Sequence, residues 1–235
     1  MRNYFTFGGI DSRDLGIYIS GEGVYNAPSR NYNAIAIPGR NGDLLGLERR
    51  FSNVEVKYPA FCYGDFANRI AAIREALLSL EGYQRLADTY NPEEYRMAYF
   101  EGGFEVEPTT VHDAGNFELT FTCKPQRYLV SGETAQAVAS GNALNNPTGF
   151  DALPIIHAVG YGTIEVGSQA IVVANTYPEV TINSEIADCY YNLQSANDAV
   201  SFSTNDFPVL HPGANGIAYS TTFTSVTVTP NWWRV

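Results

Sequence analysis

The chain has 235 residues, 45% hydrophobic, enough to build a substantial core and to exclude wholesale disorder. Only 17% of residues are charged, yet the net charge is −11, because 14 Lys and Arg face 25 Asp and Glu. A nucleic-acid grip needs a basic face, and no basic run exceeds Arg49-Arg50, so that class is excluded, as is docking to an anionic membrane.

The charge is uneven. Residues 1–130 hold 13 bases and 17 acids, whereas residues 131–235 hold one base, Arg234, and 8 acids. Such a change of character predicts two domains, 1–130 and 131–235, with different surfaces. Before Asp11 and Arg13 there is no apolar stretch of signal-peptide type, and no stretch approaches the ~20 apolar residues of a membrane-spanning helix. Neither secretion nor membrane insertion is expected.

Along the first half, Val54, Val56 and Tyr58 alternate with polar residues, as do Phe117, Leu119, Phe121 and Cys123; each run predicts a strand with one buried face. Residues 35–37 and 104–106 read as shorter strands. Between Ile37 and Phe51 lies Pro38-Gly39-Arg40-Asn41-Gly42-Asp43, where Asn-Gly supplies the positive φ of a chain reversal, so a projecting loop between strands is expected. The spacing of Phe66, Ile70, Ile73, Leu77 and Leu80 predicts an amphipathic helix over 65–81, with Asp65 as N-cap and Gly82 as stop. Arg69 and Arg74 suit its exposed side.

Residues 131–150 are small and polar and form the expected boundary region, with an edge strand over 135–139. Beyond Pro154 short strands are expected at 155–159, 161–166, 170–174, 180–182, 189–193, 200–203 and 220–229. Gly167-Ser168 and Pro212-Gly213-Ala214-Asn215-Gly216 read as turns. Short strands with frequent turns predict a β-sandwich.

Catalytic patterns are scarce. The sequence lacks GxSxG, HExxH, Walker A and GxGxxG motifs. Cys62, Cys123 and Cys189 are odd in number and far apart, which predicts buried thiols rather than a disulfide framework or zinc site. His112, His157 and His211 are isolated in sequence and suggest no metal centre. Glu93-Glu94, Glu105 and Glu107 read as wet strand faces rather than a glycosidase pair. Trp232-Trp233 and Tyr190-Tyr191 suit three roles: a sugar-stacking platform, packing in a sandwich, or interface anchors. No enzyme, cofactor or metal is expected.

Taken in order, these segments resemble a known family. They are Phe5-Thr6-Phe7-Gly8-Gly9-Ile10-Asp11-Ser12 with Leu15-Gly16-Ile17, then Ile37-Pro38-Gly39-Arg40-Asn41-Gly42-Asp43-Leu44-Leu45, the helix, Asn91-Pro92-Glu93-Glu94-Tyr95-Arg96, and the strand ending in Lys124-Pro125. The second half adds Asn146-Pro147, Thr181-Ile182-Asn183-Ser184, Tyr190-Tyr191 and Phe207-Pro208-Val209-Leu210-His211-Pro212-Gly213-Ala214-Asn215. The chain resembles the distal tail protein (Dit) family of long-tailed bacteriophages of Gram-positive hosts over nearly its whole length. Asn183 stands where many relatives carry Asp.

The resemblance implies a mainly β protein with two β-sandwich domains, the first tail-tube-like with one helix, the second galectin-like. It implies a virion protein, assembled in the host cytoplasm, in which six copies form a ring around the DNA channel. Its partners would be the tail tube protein above, the tail-associated tip protein below, and receptor-binding or baseplate proteins. On this reading the ring or tube interface falls on Pro38, Gly39, Arg40, Asn41, Gly42 and Asp43, and an outer partner contact on Trp232 and Trp233. The alternative is a lectin-like module for host cell-wall sugars. The galectin His-x-Asn-x-Arg pattern is absent from the sequence, and shape alone does not carry sugar binding.

Overall fold

A computed structural model describes residues 2–108 and 114–235. It is mainly β, with 48% strand. Two compact units divide the chain, Met1–Arg127 with Val235, and Tyr128–Arg234.

The first unit carries β1 (Phe5–Phe7), β2 (Ile10–Asp11), β3 (Ile17–Ile19), β4 (Arg30–Ile35), β5 (Leu44–Phe51), β6 (Val54–Tyr63), α1 (Phe66–Leu78), β7 (Gln84–Asp88), β8 (Glu94–Tyr99), β9 (Val106–Pro108) and β10 (Ala114–Cys123). Its main sheet runs β2-β1-β7-β8-β10-β6-β3, with β9 added on β10. The spine is the β6–β10 pair, in register from Ala114 opposite Tyr63 to Cys123 opposite Val54. Both strands alternate as their sequences predict: Val54, Val56, Tyr58, Phe117, Leu119 and Phe121 are buried. At the far ends Asn3 and Ile19 form an isolated bridge. Opposite inner faces thus enclose one aromatic core, in which the Phe121 ring lies 4.9 Å from Phe7, 5.2 Å from Phe100 and 5.5 Å from Phe5.

The helix buries Ile70, Ile73 and Leu77, with Phe66 and Leu80 packed at the margins of the core. It is shorter than expected, closing at Ser79. Asp65 stands at its N-cap but does not cap it: φ is 47° there, and its carboxylate accepts instead from the Asn68 amide at 2.9 Å. Arg69 is not fully exposed, because its guanidinium lies over Gly16 (φ 69°), where any Cβ would collide with it.

After β11 (Arg127–Leu129), the second unit carries β12 (Gln136–Ala137), β13 (Asn142–Asn146), β14 (Ile155–Val159), β15 (Gly162–Val166), β16 (Gln169–Val173), β17 (Glu179–Asn183), β18 (Asp188–Tyr191), β19 (Gln194–Ser195), β20 (Val200–Phe202), β21 (Gly213–Tyr219), β22 (Ser225–Thr229) and β23 (Trp233–Arg234). Two antiparallel sheets, β12-β22-β14-β17-β18-β19 and β13-β21-β15-β16-β20, share a core containing Ile156, Ile164, Ile171, Ile182, Leu210, Ile217 and Val228. This is a β-sandwich.

The small, polar stretch 131–150 supplies β12, inside the edge strand expected at 135–139, and β13 to the two sheets. One expectation fails here for a physical reason. The turn expected at 212–216 is largely strand, since β21 begins at Gly213 and pairs with both β13 and β15. Asn215 makes this possible. It is buried, and its side chain accepts from His211 N at 2.8 Å while donating to His211 O at 2.7 Å, so the turn is closed by a side chain before the strand proceeds.

Candidate functional site

The loop at 38–43 caps a two-stranded arm. Strands β4 and β5 pair only with each other among the described residues, outside the main sheet. Gly39 and Gly42, with φ of 80° and 81°, turn the tip, and Arg40 N donates to Ile37 O at 3.2 Å. All six tip residues are exposed, Arg40 and Asp43 among them. At the base, Ser52 N donates to Ser29 O at 2.9 Å, Ser52 Oγ to Asn31 Oδ1 at 2.8 Å, and the Arg30 guanidinium lies 4.4 Å over the Phe51 ring.

The arm is apolar without being buried. Tyr32 is 50% exposed, Ile35 49%, Leu44 52% and Leu45 55%. Ala34 lies opposite Leu45 and Ile35 opposite Leu44, so both ribbon faces carry exposed aliphatic groups. An isolated hairpin is marginal in water and needs a further layer to gain stability. Apolar groups gathered in this way mark an interaction surface.

Just before the arm, the chain is pinned by a buried polar cluster. Arg127 Nη2 donates to the carbonyls of Val24 and Asn26, each at 3.2 Å, and Arg96 Nη2 donates to Asn26 Oδ1 at 2.9 Å. Asn26 Nδ2 donates to Glu55 O. Arg127 in turn pairs with Glu94, 3.5 Å away. Nearby, Tyr58 OH donates to Asp88 Oδ2 at 2.6 Å, and Asp88 Oδ1 accepts from the backbone of Tyr90 and Asn91. Burial, then the Arg127 charge, holds the Arg96 guanidinium below its ordinary value; burial, then Asp88, pushes Tyr58 well up. A cavity of about 20 Å³ lies among Tyr58, Asp88, Glu94, Arg96 and Arg127. Balanced charge, hydrogen-bonded except at the buried Arg96 Nη1, is suited to holding a segment in place. It is not suited to glycoside chemistry, because the Glu94 carboxylate is committed to Arg127.

Sequence reasoning missed this cluster. The signal was present: Glu94 and Arg96, of opposite charge at i and i+2, share a strand face with Ala98, and that face is the buried one.

The tryptophans part company. Trp232 is 4% exposed and belongs to the core of the second unit, so it does not present the outer contact expected of it. Trp233 lies at the rim, stacked on Phe150 at 4.5 Å, its Nε1 donating to Asp151 O at 2.8 Å. Asp151 also bonds His211 Nδ1 at 2.8 Å. His157 lies 3.4 Å from Glu179, and His112 lies outside the described residues. Of the aromatic pair at 190–191, Tyr191 packs 5.4 Å from Tyr177. The thiols of Cys62, Cys123 and Cys189 are free and buried. Burial pushes Cys123 and Cys189 up to about 12 and raises Cys62. Among the described residues, no helix is long and apolar enough to cross a membrane.

No family model matches the chain, and no curated protein does. Solved structures do. The chain is similar to the phage P2 baseplate in its activated, calcium-containing conformation, with a TM-score of 0.54, 9% identity and 97% of each chain covered. It is similar to SPP1 Dit, a paradigm of the hub of the adsorption apparatus in phages infecting Gram-positive bacteria, with a TM-score of 0.80, 14% identity and 100% of both chains covered. From end to end, the chain has the fold of that hub protein.

Proposed function

We propose that the chain is the structural hub of a phage tail tip, a virion protein with no catalytic role. The carrying observation is the match to SPP1 Dit over the full length of both chains. Six copies form a ring that joins the tail tube to the tip-associated and receptor-binding or baseplate proteins. The first unit forms the ring, and the arm tipped by Pro38, Gly39, Arg40, Asn41, Gly42 and Asp43 reaches a neighbouring subunit or the tube. The apolar ribbon supports this, since it gains a covering layer when the ring closes. The second unit is a galectin-like sandwich that offers its rim, with Trp233, to other tail proteins.

DNA passes through the channel without being held, in keeping with a net charge of −11 per chain. Antibody labelling of intact particles tests the hub role: label confined to the distal end of the tail tube supports it, and label elsewhere, or none, contradicts it. The lectin reading draws on the Phe150–Trp233 stack beside Asp151 and His211; retention of the protein on host cell-wall polysaccharide, lost in Trp233→Ala, would favour it.

A further inference from the structure

The dipeptide Asn-Gly occurs twice in the sequence, at Asn41-Gly42 and at Asn215-Gly216. It is chemically labile. Glycine has no Cβ to obstruct its own backbone nitrogen, so that nitrogen can approach the side-chain carbonyl carbon of the preceding asparagine. Whether it does so depends on how firmly the asparagine amide and the glycine backbone are held.

The two copies are held very differently. Asn215 is buried, its Nδ2 donating to His211 O at 2.7 Å and to Gly213 O at 2.9 Å while its Oδ1 accepts from His211 N at 2.8 Å. Gly216 lies inside β21, opposite Ala143 of β13. Amide and backbone are both fixed, so attack there requires local unfolding of the sheet. Asn41 and Gly42 are exposed at the tip of the arm, outside β4 and β5. Among the described residues, no hydrogen bond holds the Asn41 amide or the Gly42 N–H. Apart from its chain neighbours, nothing stands within 4 Å of the place a Cβ of Gly42 would take.

We propose that Asn41 is a site of spontaneous deamidation in the folded chain. Gly42 N gives its proton to hydroxide or another base in solvent and forms a bond to Asn41 Cγ. The Cγ–Nδ2 bond breaks, and Nδ2 leaves as ammonia with a proton taken from water. Water then opens the cyclic imide. Opening at one carbonyl leaves an aspartyl residue at position 41, and opening at the other an isoaspartyl residue, in which the main chain runs through the side chain. Arg40 and Asp43 cancel in residues 38–43, so the new carboxylate takes the tip from no net charge to −1. The isoaspartyl product also lengthens the main chain of a turn set by Gly39 and Gly42 at φ of 80° and 81°. The step needs only the single chain and does not rest on the hub reading.

Peptide mapping by mass spectrometry, with isoaspartate counted by methyltransferase labelling, tests it on dilute full-length chain that sedimentation shows to be monomeric. At mildly alkaline pH, Asn41 is expected to deamidate at least ~10-fold faster than Asn215 in the folded protein, and the two at similar rates in guanidinium chloride, where the difference in restraint is gone. Gly42→Ala sets a Cβ beside the attacking nitrogen and is expected to slow position 41 at least ~10-fold while leaving Asn215 as it was. Asn41→Gln should remove most of the isoaspartate formed by the folded chain, and circular dichroism verifies that both variants fold. Folded protein in which Asn41 reacts no faster than Asn215, or a Gly42→Ala variant that reacts at the parent rate, would overturn the proposal. A difference between the two sites that persists undiminished in guanidinium chloride would also overturn it, by placing the cause outside the fold.

Discussion

Arg127 Nη1 lies 3.5 Å from Glu94 Oε2, with both side chains almost wholly out of solvent. Arg127 reaches on to the carbonyls of Val24 and Asn26, so a buried charge is used to fix the chain leading into the arm. Removing one member leaves the other uncompensated, which costs about 3–5 kcal/mol. Arg127→Met is expected to lower stability by that order in urea titration, and to speed amide exchange in residues 24–31 more than in β6. Exchange that rises uniformly would show the pair to be a general stabiliser and not an anchor of the arm.

Phe121 is the hub of the first core, touching Phe5, Phe7, Tyr58 and Phe100. Phe121→Ala opens a cavity in a closed aromatic cluster and is expected to cost about 3–5 kcal/mol. Because that core is separate from the core of the second unit, near-ultraviolet spectra should show the second unit unfolding as before.

Gly132 has no room for a side chain, since a Cβ there would stand 2.4 Å from the backbone nitrogen of Trp232. Asn231 N also donates to Gly132 O at 2.9 Å, so the two segments cannot slide apart cheaply. Gly132→Ala is expected to destabilise the second unit by about 1–3 kcal/mol, read as an earlier loss of Trp232 fluorescence, with the first unit unaffected.

The thiols make a pH prediction. Cys123 and Cys189 have folded values of about 12 against an ordinary 9.0, and Tyr128, raised by burial and then by Glu185, about 12 against 10.0. A raised folded value means the native state holds its proton where the unfolded chain has lost it. The contribution to stability is therefore complete below pH 9 and is lost as pH climbs from 9 towards 12. Denaturant midpoints should be flat at neutral pH and fall above pH 9, and a thiol reagent at pH 7 should modify Cys123 and Cys189 only after denaturant is added. Fast labelling of the folded protein would contradict the burial.

Much of this was legible in the residues. Strict alternation gave β6 and β10 because one face of each strand is wholly buried, and Gly167-Ser168 marked the β15–β16 reversal through a positive φ at Gly167. Alternation misleads where charges go inward: Glu94 reads as part of a wet face and is buried, with Arg96 on the same strand face, because their partners, Arg127 and Asn26, lie 33 and 70 residues away. Distance also hid β21, whose Gly and Asn residues signal a turn but whose strand partners, β13 and β15, lie about 50–70 residues earlier in the chain. For the site, the Asn-Gly motif located the tip of the arm. The exposure of Ile35, Leu44 and Leu45 was not legible, since hydrophobic runs are normally read as core. Trp232 and Trp233 are neighbours in sequence, but Trp232, just before β23, is buried in the core while Trp233, the first residue of β23, stands at the rim.

The proposed ring is the feature of the hub role most open to a direct test. Electron microscopy of the purified chain, with the particle mass measured on the same sample, reads it in one step. Six-fold rings with a mass of six chains, or of twelve for rings stacked back to back, are the expected result, and deletion of Arg40, Asn41, Gly42 and Asp43 should abolish them. A closed ring of another number of subunits, or rings that persist unchanged without those four residues, would contradict it.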